Sequence, residues 1–297
     1  MYKLIESDVH NGHLLHRIEA TDTMCFGNFI IKPGTRGGWI ESESNLGKTA
    51  WVADNAMVYD DAVVYDHAVI YGNAVIKDNA KVHGYAKVGD EALVCENAEV
   101  FGNARVIGEA FVSNRAVVHG SATIMERAIV EGKARVLCHA VITDEAHICG
   151  EAAIGGNANI SDNATVYGEV IDYAMVYNNA CIGKTARISN RAIIYGNACI
   201  SGKVSGSATV SGVVNGNVKG SCILGPDVVI GEDVDFDCSV SISEKLELKS
   251  NDDFVYVRCG SGKLIYKFLY VKTEDRFFGE FPNNGVSFKI KNIIKTI

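Results

Sequence analysis

Residues 50–74 read AWVADNAMVYDDAVVYDHAVIYGNA, and this stretch decides the fold. Alanine recurs at every sixth position from Ala50 to Ala164, which makes twenty alanines in register. Valine or isoleucine stands two residues after each alanine, as Val52 and Val58 do, while the other four positions vary. A fixed pair of residue types at a fixed interval indicates a structural repeat with a period of six.

A period of six favours a β-solenoid. Six is a multiple of two, so a strand can keep the same side chain of every unit inside. No globular protein contains one straight strand of this total length, so the chain must turn in every unit. Three units would close a triangular coil of about 18 residues, and coils would stack as parallel strands about 4.8 Å apart. Val or Ile then faces the centre, Ala lies near a corner, and pairs such as Gly72-Asn73 take the left-handed backbone at the turn.

The repeat resembles that of hexapeptide-repeat, left-handed β-helix proteins, and the resemblance implies a left-handed coil. Around its start the sequence is similar to the leader of YdcK-type hexapeptide-repeat proteins, which occur in bacterial and phage genomes. The matching stretches are HLLHRIEA (13–20), KPGTRGGWIESESNL (32–46) and WVADNA (51–56). Proteins of this kind are labelled acyltransferases by fold analogy. The resemblance therefore implies acyl-CoA or a related donor as substrate, a histidine base and a trimeric assembly.

We predict an all-β chain in three parts. Residues 1–46 form an N-terminal cap, residues 47–242 a single-stranded left-handed parallel β-helix, and residues 243–297 a C-terminal β-meander of about four strands. Within the cap, Pro33-Gly34 and Gly37-Gly38 predict turns.

The repeat is irregular in residues 200–225. Apolar residues recur there at intervals of four, as Ile200 and Val204 do, which predicts shorter strands and a narrower prism. The tail beyond this region is basic, with seven Lys or Arg against three Asp or Glu from Lys263 to Ile297. This charge indicates either an anion-binding patch or an ordinary solvated face.

Composition excludes several classes of function. The net charge of −8 argues against nucleic acid as a partner. No apolar run approaches the roughly 20 residues of a membrane span, and the first residues lack the features of a signal peptide. We therefore expect a soluble, cytoplasmic protein without a membrane partner. The nine cysteines are scattered, with no C-x-x-C pair and no zinc spacing.

One outward column of the repeat is apolar. Residues 18 apart stack on one face, and five large apolar residues do so in succession: Met57, Val75, Leu93, Phe111 and Ile129. A ladder of this length is unusual on the surface of a monomer. We expect it to lie in a homo-oligomer interface, and the fold analogy implies a trimer.

Histidines are the candidate catalytic residues, and His83 and His119 are the best of them. They lie 36 residues apart, two coils, in one outward column with Phe101 between them. This spacing resembles the metal-binding pair of γ-class carbonic anhydrases, but Ile124 stands where a third ligand would be needed. His10, His13 and His16 are spaced by three, so neighbours in that series face opposite sides of a strand. We predict no metal site.

The interpretation of function keeps two classes open. The first is a non-catalytic binding or scaffold protein that presents regular β-helix faces and needs no cofactor. The second is an acyltransferase that uses acyl-CoA, with its site at a subunit seam and His83 or His119 as the base. Residues 50–164 contain no inserted loop of the kind that holds substrate in such enzymes, and this favours the first class.

Overall fold

The chain is all-β, and it forms a left-handed parallel β-solenoid of about 12 turns with 2% helix. The predicted fold class is confirmed. The structure, a computed structural model, describes residues 1–10, 12–26, 29–261 and 264–279. The chain divides into two compact units, residues 1–167 and residues 168–297. The predicted bounds of cap, β-helix and C-terminal domain stay a prediction.

The first unit begins with antiparallel strands. They are, in chain order, β1 (Tyr2–His10), β2 (His13–Ala20), β3 (Met24–Phe26), β4 (Phe29–Ile31) and β5 (Arg36–Ile40). Strand β2 pairs with both β1 and β5. Strands β3 and β4 pair only with each other in the described part of the chain and form an arm between β2 and β5. The 3-10 helix Glu43–Asn45 follows β5.

The two predicted turns in the cap have different outcomes. Gly34 lies in a turn with a φ of 86°, as expected. The turn expected at Gly37-Gly38 is wrong, because both glycines lie within β5. A Cβ on Gly37 would lie 2.5 Å from the carbonyl oxygen of Val52, and one on Gly38 would lie 2.5 Å from that of Ala56. These glycines let β5 approach the first coil closely.

The coils of the first unit have three faces, each a stack of parallel two-residue strands. Face 1 continues from β5 with Met57–Val58, Val75–Ile76, Leu93–Val94, Phe111–Val112, Ile129–Val130, His147–Ile148 and Thr165–Val166. Face 2 contains Val63–Val64, Lys81–Val82, Glu99–Val100, Val117–Val118, Arg135–Val136 and Ala153–Ile154. Face 3 contains Trp51–Val52, Val69–Ile70, Lys87–Val88, Arg105–Val106, Thr123–Ile124, Val141–Ile142 and Asn159–Ile160.

The core of this unit consists of the repeated residues themselves. Every register alanine from Ala50 to Ala164 and every Val or Ile two residues later has 0% exposure. Val58, Ile76 and Val94 stack in one inward column, as predicted. Burying an aliphatic side chain of this size stabilises a fold by roughly 1.5–3 kcal/mol before entropy, so the column is the main source of stability.

The corners use a contact that the repeat pattern does not reveal. The residue two places before most register alanines has a positive φ, such as 53° at Asp54 and 60° at Asp78. Where this residue is Asp, its carboxylate can also accept a backbone hydrogen bond from the next coil. Asp54 Oδ2 accepts from the Gly72 amide at 3.0 Å, and Asp78 Oδ2 accepts from the Glu96 amide at 3.0 Å. Asp therefore suits these corners because it tolerates the backbone conformation and ties adjacent coils together.

The second unit also has three parallel stacks. The first contains Cys181–Ile182, Cys199–Ile200, Val213–Val214, Val228–Asp233 and Leu246–Ser250. The second contains Glu169–Val170, Arg187–Ile188, Lys203–Val204, Asn217–Gly220 and Asp235–Cys238. The third contains Met175–Val176, Ile193–Ile194, Thr209–Val210, Ile223–Leu224 and Ser241–Ile242.

Four repeat units in the second unit have four residues in place of six. The expectation of shorter strands in residues 200–225 is wrong, because Lys203–Val204 and Val213–Val214 keep two residues each. The corner is shortened instead, and glycine replaces the register alanine at Gly168, Gly202, Gly212 and Gly216. A Cβ on Gly202 would lie only 1.9 Å from the carbonyl oxygen of Gly216 in the next coil.

A small antiparallel sheet follows the 3-10 helix Asn251–Asp253, with the strands Phe254–Ser261, Leu264–Val271 and Arg276–Gly279. Arg276 ties this sheet to the last coils through an ion pair with Glu244 and a hydrogen bond to the carbonyl oxygen of Lys245 at 3.1 Å. The rest of the predicted meander, and most of the basic tail, lie outside the described residues. No helix in the described part of the chain is long and apolar enough to cross a bilayer.

Candidate functional site

A cleft lies in the first unit between the β3–β4 arm and face 3. Three neighbouring hollows of about 230, 360 and 420 Å³ have Phe26 of the arm in their walls. The smallest is lined by the arm and by residues of three successive coils: Cys25, Phe26, His67, Val69, Tyr85, Lys87, Asn103 and Arg105. The arm thus converts a flat solenoid face into a concave site, which is the kind of surface that binds small ligands.

The charges in the cleft are unevenly placed: Lys87 and Arg105 line the 230 Å³ hollow, whereas Asp22 lines the 360 Å³ hollow and Asp54 the 420 Å³ hollow. Lys87 and Arg105 are neighbours in adjacent face 3 strands, and both side chains are exposed. Within the described residues, neither has a carboxylate within salt-bridge distance. None of the described residues that line the 230 Å³ hollow is acidic. Two unpaired cations in a concave site of a protein with a net charge of −8 favour an anionic ligand.

Aromatic rings flank the two cations. The ring of Tyr85 is 61% exposed and stacks on His67 with centroids 5.0 Å apart. The ring of Tyr71 lies over Gly89, where a Cβ would come within 2.0 Å of it. Burial raises the pKa of the Tyr71 hydroxyl, and Asp90 raises it further while Arg105 lowers it. The cleft therefore offers flat apolar surface beside its positive charge.

The predicted catalytic histidines lie in a continuous ring stack. Tyr65, His83, Phe101 and His119 stack in that order, with centroid separations of 4.6, 5.0 and 4.8 Å. The placement of the two histidines in one column with Phe101 between them is confirmed. Both faces of the His83 ring are covered, so a substrate can reach only its edge.

The edge of His83 is also occupied. Its Nε2 lies 3.0 Å from Glu99 Oε1, and its Nδ1 lies 3.8 Å from Asp66 Oδ2. This arrangement holds the ring in place within the corner between faces 2 and 3. A general base needs a nitrogen that faces the substrate. In this arrangement neither nitrogen of His83 is directed at an open cavity. A catalytic role for His83 and His119 stays a prediction.

The expectation that neighbouring N-terminal histidines face opposite sides of a strand can apply to His13 and His16, which both lie in β2, but it is wrong for His10 and His13, which are Cα partners across the β1–β2 hairpin. The ring centroids of His10 and Trp39 lie 4.6 Å apart. The His16 Nδ1 lies 2.7 Å from the hydroxyl oxygen of Ser7. His13 has different neighbours, because its Nδ1 lies 3.2 Å from Glu41 Oε1 and 3.7 Å from Asp60 Oδ1. Glu41 and Asp60 are distant from His13 in sequence, so the pattern of histidines alone could not reveal this group.

The apolar ladder on face 1 is partly covered within the chain. The side chains of Met57 and Val75 pack against a buried cluster of Leu15, Trp39 and Tyr59. The other three members, Leu93, Phe111 and Ile129, are also partly buried. Their role in an oligomer stays a prediction.

Sequence reasoning did not identify the cleft. It identified the repeat and therefore the columns in which Lys87 and Arg105 would stand. The signal that was available is the insertion of residues 21–35 between β2 and β5, since an arm of that length can fold back over a face. No family model matches the chain, and no curated protein matches it in sequence.

Proposed function

We propose that the protein is a cytoplasmic, non-catalytic binding protein whose ligand is a phosphate-bearing small molecule held in the cleft beneath the arm. The observation that carries the proposal is the pair of cations Lys87 and Arg105 in the 230 Å³ hollow, where neither has a carboxylate within salt-bridge distance and no described lining residue is acidic. Arg binds phosphate through paired N–H donors, and Lys supplies a compact positive charge. The exposed Tyr85 ring would stack on a planar group of the ligand.

The rigid solenoid supports this function. Lys87 and Arg105 stand on paired strands whose inward residues, Val88 and Val106, are fully buried. Residues on packed strands hold their positions more accurately than residues on loops. In this proposal the β-helix is a scaffold, and the arm supplies the second wall of the site.

The second candidate is an acyltransferase of the hexapeptide-repeat class. Coenzyme A carries phosphates and a planar base, so the cleft would suit an acyl-CoA donor as well. The histidine stack occupies the same corner of the coils as His67 and Tyr85, which line the cleft. In this alternative the site lies at a subunit seam, and His119 is the better base because only one face of its ring has a described stacking partner.

The proposal is tested by isothermal titration calorimetry with coenzyme A, AMP and pyrophosphate at fixed salt concentration. We expect at least one of them to bind, and we expect Lys87→Glu and Arg105→Glu each to weaken that binding at least tenfold. Lys81→Glu is the matched control, because Lys81 holds the same place in the preceding repeat unit but lies on face 2. Absence of binding, or an equal loss in the control, would contradict the proposal.

Turnover separates the two candidates. The parent protein and a His83→Ala/His119→Ala variant are assayed for release of free coenzyme A from acetyl-CoA with a panel of amine and hydroxyl acceptors. The binding proposal expects no release above the uncatalysed rate. Turnover by the parent that disappears in the folded double variant would establish the acyltransferase instead.

We also propose that the face 1 ladder is an interface between copies of the chain, in a trimer. Light scattering coupled to size-exclusion chromatography tests this. Phe111→Arg places a charge in the middle of the ladder and should shift the protein to monomers. Thr165→Arg, in the same column beyond the ladder, should leave the trimer intact. A parent protein that is monomeric at micromolar concentration would refute the interface.

A further inference from the structure

We propose that His13, Glu41 and Asp60 form a binding site for a divalent metal ion, with zinc as the best fit. The three side chains offer one nitrogen and two oxygen atoms that all lie within 4.8 Å of one another. The His13 Nδ1 lies 3.2 Å from Glu41 Oε1 and 3.7 Å from Asp60 Oδ1. Ligand atoms bound to one zinc at about 2.0–2.2 Å are roughly 3.0–3.5 Å apart, so small movements would complete the set.

The second oxygen of each carboxylate is already held by backbone. Glu41 Oε2 accepts a hydrogen bond from the Asp60 amide at 2.6 Å, and Asp60 Oδ2 accepts one from the Asp78 amide at 3.2 Å. Each carboxylate is thereby fixed with its other oxygen directed at the His13 Nδ1. Hydrogen bonds of this kind orient ligands in protein metal sites, and here they leave one oxygen of each carboxylate beside the same nitrogen of His13.

The donor set and the charge favour a divalent transition metal. A neutral imidazole suits zinc better than magnesium or calcium, while the two carboxylates carry the charge that a divalent ion balances. About a third of each side chain is exposed, so an ion has a path in and water can complete its coordination.

The rest of the molecule contains an informative contrast. His83 also lies beside two carboxylates, but Glu99 is at its Nε2 and Asp66 is at its Nδ1. The two nitrogens of one imidazole point in different directions, so no single ion could bind both carboxylates together with His83. Only at His13, among the described residues, do a histidine and two carboxylates converge on one point.

The site would connect three parts of the first unit. His13 begins β2, Glu41 directly follows β5, and Asp60 lies at the corner after the first face 1 strand. A bound ion would therefore fix the antiparallel strands to the first coil. Because the ion binds the folded chain in preference to the unfolded one, it should raise the thermal stability of the protein.

The test uses full-length protein freed of metal with a chelator and then titrated with zinc chloride. We expect one zinc per chain by calorimetry, with a rise in Tm that the chelator reverses. His13→Gln, Glu41→Gln and Asp60→Asn should each lower the zinc affinity at least tenfold, while His83→Gln should bind zinc as the parent does. Magnesium chloride at the same concentration should give no rise in Tm.

Circular dichroism and metal-free Tm values show whether each variant is folded. Asp60→Asn should disturb the fold least, because the side-chain amide oxygen of asparagine can still accept the hydrogen bond from the Asp78 backbone amide. A second readout is the visible absorption of cobalt, which should change on binding to the parent and not to folded Asp60→Asn. The proposal is overturned if the parent binds no zinc, if folded variants bind as tightly as the parent, or if His83→Gln loses binding too.

Discussion

Six-residue and four-residue repeat units produce the same inward column in different ways. In the six-residue units of residues 50–166, a corner residue with positive φ and a second corner residue precede a buried alanine. In the four-residue units those two corner residues are missing, and glycine replaces the alanine, as Gly202 does. The Val or Ile that follows is fully buried in both cases, for example Val118 and Val204.

The corner, and not the strand, therefore sets the length of a unit. Removing two corner residues brings the remaining backbone against the carbonyl groups of the next coil. A Cβ on Gly212 would lie 2.3 Å from the carbonyl oxygen of Val228, and one on Gly216 would lie 2.3 Å from that of Gly231. The alanine position and the corner are thus coupled, because a methyl group fits only where a full corner keeps the coils apart.

The largest loss of stability is expected for Gly202→Ala. The added methyl group would meet the carbonyl oxygen of Gly216, which is backbone and cannot rotate away. We expect the free energy of unfolding to fall by more than about 3 kcal/mol, which is the upper end of the usual cost of overpacking a buried site. Urea denaturation followed by circular dichroism measures it. Ser207→Ala, at an exposed corner nearby, is the control and should be nearly neutral. A loss below about 1 kcal/mol would show that the shortened corner tolerates a side chain.

The reciprocal change in a six-residue unit is Ala122→Gly. Ala122 is fully buried in a six-residue unit, and its removal takes away one methyl group and makes the backbone more flexible. We expect a loss of about 1–2 kcal/mol from these two effects together. The same denaturation experiment applies. A gain in stability would mean that glycine is preferred in both kinds of unit, which contradicts the coupling described above.

The corner contact itself is tested with Asp78→Ala and Asp78→Gly. The alanine variant loses the hydrogen bond from the Glu96 amide and must still adopt a positive φ, which is unfavourable for alanine. The glycine variant loses only the hydrogen bond, because glycine adopts a positive φ readily. We expect a loss of about 1 kcal/mol for alanine and a smaller loss for glycine. Hydrogen exchange of the Glu96 amide should accelerate in both variants. Equal losses would indicate that the backbone conformation at Asp78 carries no strain.

The smallest expected effect is on the acid sensitivity of folding, at Asp144 in the corner of a six-residue unit. The pKa of Asp144 is lowered by hydrogen bonds from the Thr143 hydroxyl and the Asp162 amide. A carboxyl whose pKa is lower in the folded chain stabilises it above the unfolded pKa, and this contribution disappears as the pH falls through the folded pKa. The Asp144→Asn variant should therefore lose less unfolding free energy than the parent when the pH falls below about 4. The difference should be less than about 0.5 kcal/mol, because the site is accessible to solvent. Unfolding midpoints measured between pH 3 and pH 7 test this, and an unchanged pH profile would show that Asp144 does not contribute.

Much of the fold could be predicted from the sequence because the repeat is a local and redundant signal. The six-residue interval between Ala50 and Ala56 implies the length of the repeat unit, and the twenty alanines in register imply that the coils stack. The columns follow by counting 18 residues, which is why the stack of His83, Phe101 and His119 was predictable. The turn at Gly37-Gly38 was predicted wrongly, because glycine serves close approach as well as chain reversal and only the neighbouring coil distinguishes the two roles.

The sequence by itself determined the periodicity, the buried positions and the order of side chains along each face. Only the tertiary structure decided where segments outside the repeat lie. It brings Phe26 of the arm to Lys87 and Arg105, and it brings Glu41 and Asp60 to His13. Those contacts depend on how non-repeating strands fold back on the coils. A period fixes distances only between residues that share it, so no local pattern in the sequence could encode them.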